Sequence, residues 1–323
     1  SSLRLLNSFL YLLALTIFIG GAFRTSGPDL LTYKELYESP ERIPDIFFSF
    51  LFFFFNEINL PFPLALCLIM SITIIALKRI TSAYKISFLF IFCVYFLYLI
   101  PIRELAQFRI GLAISIFIIA FSLNQKSFSS WILYCIAILC HYTVIVLMLN
   151  LVGSYFIASF RSRISRILIF CLAATLIFAV GMNIQKMAFI DPRINIYLTA
   201  FAHDDGRPIQ SFSIIVYYIA IILSFHFFVK DEVSVRDKRA FLYMLLFSNL
   251  VFFAFSFVAI FAYRLAHVSA AFHPIMLALI FKAIKNKPRF GKERLIGSLV
   301  IALFMLIYLS KLNVGSIIYD IGF

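Results

Sequence analysis

Apolar runs of about 14 to 20 residues follow one another from residue 5 to residue 309, and the loops between them alternate between rich and poor in lysine and arginine. That alternation constrains the chain more than any other feature. An α-helix needs roughly 20 apolar residues to cross a hydrocarbon layer of about 30 Å, fewer if flanking residues reach the interface. Lipid offers no partner to an unpaired backbone N–H or C=O, so an apolar run at this length reads as a helix. No soluble core could hide this much apolar surface: 63% of the residues are hydrophobic, only 13% are charged, and the mean hydropathy is +1.02. The expected fold is all-α, a polytopic integral membrane protein forming one transmembrane domain over residues 1–323.

The net charge of +13 follows from topology. The basic residues sit in short loops between apolar runs, not on one folded face, so nucleic acid is not an expected partner. Cys67, Cys93, Cys135, Cys140 and Cys171 all fall inside apolar runs without CxxC or Cys/His spacing, which predicts neither a disulfide framework nor a zinc site. No metal and no cofactor is expected.

With Arg4 on the cytoplasmic side, a first span at 5–23 leads to an external loop at 24–45 that mixes both charge signs with Pro28, Pro40 and Pro44. Residues 46–55 are apolar but too short to cross, and Asn56, Glu57, Asn59, Pro61 and Pro63 follow, predicting a shallow or re-entrant helix. Further spans are expected at 64–77, 86–100 and 105–123. Residues 131–160 read either as one long span or as two helices folded near His141, Tyr142 and Thr143. Charge parity selects the second. A single span would place Arg161, Arg163 and Arg166, and then every later basic cluster, on the wrong side. Spans at 167–182, 212–229, 241–257, 265–281 and 295–309 complete about eleven crossings, with a second external loop at 183–210.

An ionisable side chain at the centre of a membrane helix costs roughly 2.5 to 3.5 kcal/mol, so each one needs a reason. On this topology they gather at the outer side: Arg103, Glu104 and Arg109, His141, then Tyr263, Arg264 and His267. The two loops add Asp29, Asp191, Arg193, His203, Asp204, Asp205 and Arg207. Arg103 also reads as a snorkelling anchor, and His203, Asp204 and Asp205 as a solvated loop. Arg109 lies about 9 Å further along its helix than Arg103, deep enough to require a partner or a hydrated cavity. No P-loop, HExxH, paired-Cys or Ser/His/Asp pattern is present, so any chemistry must use an activated substrate already in the membrane.

In order along the chain stand an external Asp with spaced tyrosines (Asp29, Tyr33, Tyr37), an Arg opening a small-residue helix (Arg109, Gly111, Leu112, Ala113), a His ending the next apolar run (His141), and a late Arg after a tyrosine (Tyr263, Arg264). This arrangement resembles the EpsG/Wzy group of bacterial polysaccharide polymerases. Ile110 stands where that group often has Gln, and the acidic residue that opens its short second helix has two counterparts here, Glu41 or Asp45.

The resemblance implies a glycosyltransferase that joins undecaprenyl diphosphate-linked repeat units at the periplasmic face of the bacterial inner membrane. The partners it implies are the lipid-linked donor and acceptor, the bilayer, a chain-length regulator and a flippase. Under it, Arg109 and Arg264 bind the diphosphate, with Arg103 in reserve. His141 is the first choice of base, Asp204 or His203 the alternatives, and Asp29, Tyr33, Tyr37 and Tyr263 contact sugars. Its rivals are a transporter or flippase of lipid-linked oligosaccharide, an O-antigen ligase and a membrane acyltransferase.

Overall fold

The computed structural model describes residues 2–23, 30–98, 108–123, 127–183, 211–229, 232–255, 268 and 270–286. Among these residues there are twelve α-helices and no strand. They are α1 (Ser2–Ala22), α2 (Leu30–Glu38), α3 (Ile46–Glu57), α4 (Phe62–Tyr84), α5 (Phe88–Tyr98), α6 (Phe108–Ser122), α7 (Phe128–Cys140), α8 (Val144–Ser159), α9 (Arg163–Met182), α10 (Ser211–Phe228), α11 (Val235–Ala254) and α12 (His273–Asn286). Two of them, Phe62–Tyr84 and Arg163–Gly181, are long and apolar enough to cross a membrane by themselves, and several shorter helices are equally apolar. The described residues divide into two compact units, one running up to Ile145 and the other from Val146 onward.

In the first unit α6 is the central helix, with α4 and α7 packed on it. From Phe108 to Phe121 every residue of α6 is buried except Arg109 and Ile119. Small side chains make this possible: Gly111, Ala113, Ser115 and Ala120 let neighbouring backbones approach, as helix contacts in lipid require. Thr73 of α4 meets Ser115 through a buried hydroxyl pair at 2.9 Å, which satisfies two polar groups that lipid could not.

The helix expected to be short is short. α3 has 12 residues and spans about 18 Å, too little to cross. It buries Phe48, Phe52 and Phe55 and leaves Ile46, Phe50, Phe53 and Phe54 exposed, so its outer face is also apolar and suits lipid. α2 and a 3₁₀ turn at Pro40–Arg42 pack on α3, and α3 packs on α7.

The segment 131–160 consists of two helices, α7 and α8, and the break falls at His141, Tyr142 and Thr143, where charge parity placed it. His141 has extended backbone (φ −161, ψ 115), and its N–H closes the last turn of α7 on Ala137 O.

In the second unit α11 carries α9 and contacts α10, which also meets α12. Asn150 donates to Met244 O at 3.2 Å and accepts from Ser154 Oγ at 3.2 Å, joining α8 to α11 with polar groups. At the end of α9, Gly181 lies so close to α11 that a Cβ there would sit 2.1 Å from Ala254 O.

Several boundaries differ from those expected. α4 runs on to Tyr84, past Lys78 and Arg79, and α11 takes in Arg236, Lys238 and Arg239 from Ser234, whose hydroxyl caps it. Long basic side chains can lie along a helix and reach the headgroups, so charge marks the membrane surface and not the helix end. The loop 183–210 beyond Asn183 and the span 295–309 lie outside the described residues.

Candidate active site

Asp45 is placed by a tightly tied segment. Ser49 Oγ donates to Pro40 O at 2.7 Å, Tyr37 Oη donates to Leu60 O, and Asn56 Nδ2 donates to Tyr37 O, closing α2, the 3₁₀ turn and α3 on one another. Asp45 is the N-cap residue of α3, and its carbonyl accepts the Ser49 N–H at 2.9 Å. An N-cap aspartate ordinarily turns its side chain onto the first helical N–H groups. This one does not: it makes no side-chain cap bond.

The carboxylate reaches out instead. Oδ2 accepts from Arg109 Nη1 at 2.6 Å, with the Asp45 side chain 3% exposed and that of Arg109 25% exposed. Arg109 also lies 5.9 Å over the ring of Tyr33. The other oxygen, Oδ1, is 3.5 Å from His141 Nδ1. At that separation the two groups feel each other's charge, but Nδ1 has no well-formed hydrogen bond. Burial alone would raise the Asp45 carboxyl. The contact with His141 and its charge, the charge of Arg109 and the backbone N–H of Tyr142 outweigh burial and hold it below the ordinary aspartate value.

Three elements thus converge on one buried anion: the start of α3, the start of α6 and the end of α7. Buried polar atoms are nearly always paired, and here several are not. Among the described residues, Arg109 Nε, His141 Nδ1 and, in the same turn as His141, Thr143 Oγ1 are buried without a hydrogen-bond partner. Arg109 spends Nη1 on Asp45 and also interacts with Tyr33, while its Nε has no partner among the described residues, which suits a planar, permanently charged group to take an oxyanion at Nε.

Arg109 and His141, singled out separately in the sequence, are therefore brought to the two oxygens of one carboxylate. Tyr33 and Tyr37 are buried instead of presented. The Tyr33 ring packs edge-on against Phe108 at 5.0 Å, and that of Tyr37 against Phe52 at 5.0 Å. Asp29, Arg103, His203, Asp204, Tyr263 and Arg264 lie outside the described residues. Of the two acidic residues offered for the opening of the short helix, Glu41 is exposed and Asp45 faces Arg109. The part played by Asp45 was missed. The available signal was an acidic residue at a helix start on the same side as an arginine that needed a counter-charge.

Residues 7–319 match the model of the EpsG family. No curated protein and no solved structure matches the chain.

Proposed function

The chain belongs to the EpsG family of membrane polysaccharide polymerases, and from that premise we propose that it joins undecaprenyl diphosphate-linked oligosaccharide repeat units at the periplasmic face of the inner membrane. The observation that carries this reading is the convergence of Arg109 and His141 on Asp45, with Arg109 Nε buried and unpartnered. An oxyanion-binding donor and a proton acceptor stand side by side, as a glycosyl transfer from a diphosphate requires.

In the transfer, the hydroxyl of the acceptor's terminal sugar attacks the anomeric carbon of the growing glycan. The new glycosidic bond forms, the bond to the diphosphate breaks, and its electron pair leaves with the diphosphate. Arg109 binds the phosphate oxygens as their charge grows, and it does so best in a site of low dielectric. A diphosphate leaves without a general acid, so the remaining task is to accept the hydroxyl proton. His141 takes that proton at Nε2. Arg264 is assigned as a second phosphate ligand with Arg103 in reserve. His203 or Asp204 is the alternative base, and Asp29 and Tyr263 the sugar contacts. Tyr33 and Tyr37, expected as sugar contacts, serve better as the wall that holds Arg109 and α3 in place. Chain-length regulators and flippases are the partners such a polymerase would meet, one bounding its product and one delivering its substrate.

The test is a reaction of purified protein with an authentic undecaprenyl diphosphate-linked repeat unit. A ladder of longer lipid-linked glycans is expected, lost in Arg109→Ala, Arg264→Ala and His141→Ala variants that still accumulate in the membrane. Absence of any ladder from the unmodified protein would overturn the reading. Orientation is checked separately: a cysteine at Ser162 should label only from the cytoplasmic side.

A further inference from the structure

We propose that Asp45 is the positioning residue of this site: one carboxylate fixes Arg109 through Oδ2 and orients His141 through Oδ1, so that the phosphate-binding and proton-accepting groups act as one unit. The substrates named here rest on the polymerase reading; the geometry does not.

The side chain's neglected cap is the first argument. An N-cap aspartate with nothing else to do would bond its own helix, whereas the Asp45 side chain leaves α3 uncapped and turns to α6 and α7. Its burial is the second. A carboxylate with 3% of its side chain exposed is expensive to keep unless cations face it, and a helix junction needing only bulk would be served by a neutral residue.

The surroundings are the third. Among the described residues, the groups facing Asp45 are Arg109 from α6, His141 and Cys140 from the end of α7 and the Tyr142 N–H beyond it, with Tyr33 of α2 lying behind the guanidinium. Only Arg109 and His141 among these suit the transfer, and Asp45 divides its two oxygens between them.

Two consequences follow for the reaction. With its Nδ1 edge turned to Asp45, the imidazole has Nε2 left as the atom that accepts the hydroxyl proton. The Nδ1 contact is long while Arg109 holds the other oxygen. When a bound diphosphate shares the guanidinium, Asp45 is freer to close on His141, which makes donor binding and proton acceptance mutually supportive.

The experiment uses the full chain in nanodiscs, as wild type, Asp45→Asn and Asp45→Glu. Asn keeps the shape without the charge, and Glu keeps the charge. With the lipid-linked repeat unit as substrate, Asp45→Asn should lower kcat by about tenfold or more while KM changes less, and Asp45→Glu should recover part of the rate. The orientation of His141 is read without turnover by 15N NMR of histidine-labelled protein, with the His141 resonances identified by their loss in His141→Gln. With Nδ1 facing a carboxylate oxygen, the Nδ1–H tautomer should dominate in the wild type and lose population in Asp45→Asn. A His141 tautomer population in Asp45→Asn that coincides with the wild type would overturn the proposal, whether or not a ladder forms. A wild-type protein that forms no ladder, but whose His141 tautomer changes with Asp45, would sink the polymerase reading and leave the positioning role standing.

Discussion

Replacing Arg109 by Gln removes the closest cation from a carboxylate that has almost no access to water. Breaking a buried ion pair from one side costs about 3 to 5 kcal/mol. Two features of this site bring the figure down. The Arg109 side chain is 25% exposed, so water reaches the vacated space, and His141 remains 3.5 Å from Oδ1. A loss of about 2 to 3 kcal/mol is therefore expected for Arg109→Gln, and about 1 to 2 kcal/mol for Asp45→Asn, whose orphaned guanidinium is better hydrated. In the double variant two neutral amides face each other and neither charge is stranded. Its loss should fall short of the sum of the single losses by about 1 to 2 kcal/mol. At about 2 to 4 °C per kcal/mol for a folding unit of about 150 residues, as the first unit is, Arg109→Gln should melt that unit about 4 to 12 °C below wild type. The chain has a single tryptophan, Trp131, on α7 beside Tyr134 at 6.0 Å, so its fluorescence reports melting of the first unit directly. Losses that add to within about 0.5 kcal/mol would mean that the two residues are not coupled, and the site built on them would fall.

Acidification tests the same carboxylate in another way. Its folded value is held below the ordinary one, so the stability it contributes is present above that ordinary value, about 3.9, and is lost as pH falls through the folded value. The melting difference between wild type and Asp45→Asn should not fall between pH 7 and about 5 and should shrink below about 4; its disappearance by pH 6 would contradict the pairing. Gly181→Ala drives a methyl group into the backbone of Ala254, which can yield only if α9 and α11 separate. It should cost about 1 to 3 kcal/mol or more, seen as a lower melting temperature in membranes, and an unchanged value would refute the close approach. Asn150→Ala removes the donor to Met244 O and strands Ser154 Oγ, so a loss of about 1 to 2 kcal/mol is expected by the same assay. A neutral result there would show that the α8–α11 contact is carried by apolar packing alone.

Helix existence was legible in the sequence wherever apolar length alone decides it, as in α4 and α9. The shortness of α3 was legible too, because the polar and proline-rich stretch after Phe55 stops an apolar run before it can cross. The break at His141 came from a global constraint, the parity of basic loops, and not from local propensity. Helix ends were read less well, since Lys78, Arg79 and Arg236 sit inside helices where hydropathy places loops. Arg109 and His141 could be suspected because each is costly where it stands. Asp45 gave no such signal: beside Pro44, at the edge of a polar loop, an aspartate costs nothing. Its importance lies in a pairing across 64 residues to Arg109 that only the packing of α3 and α6 creates.

The enclosure of α6 sets a limit on how this protein can be retargeted. Arg109 rides on a helix walled in on nearly every side, so a substitution at the buried positions around it must fit a finished jigsaw before it can alter chemistry. The tie to Asp45 extends that rigidity to the first turn of α3. Among the described residues, the apolar outer face of α3 is not enclosed in that way, since Ile46, Phe50, Phe53 and Phe54 are exposed. Variation aimed at new glycans or new lipid carriers is thus best directed to surfaces around the anion site, leaving the helix that carries its arginine untouched.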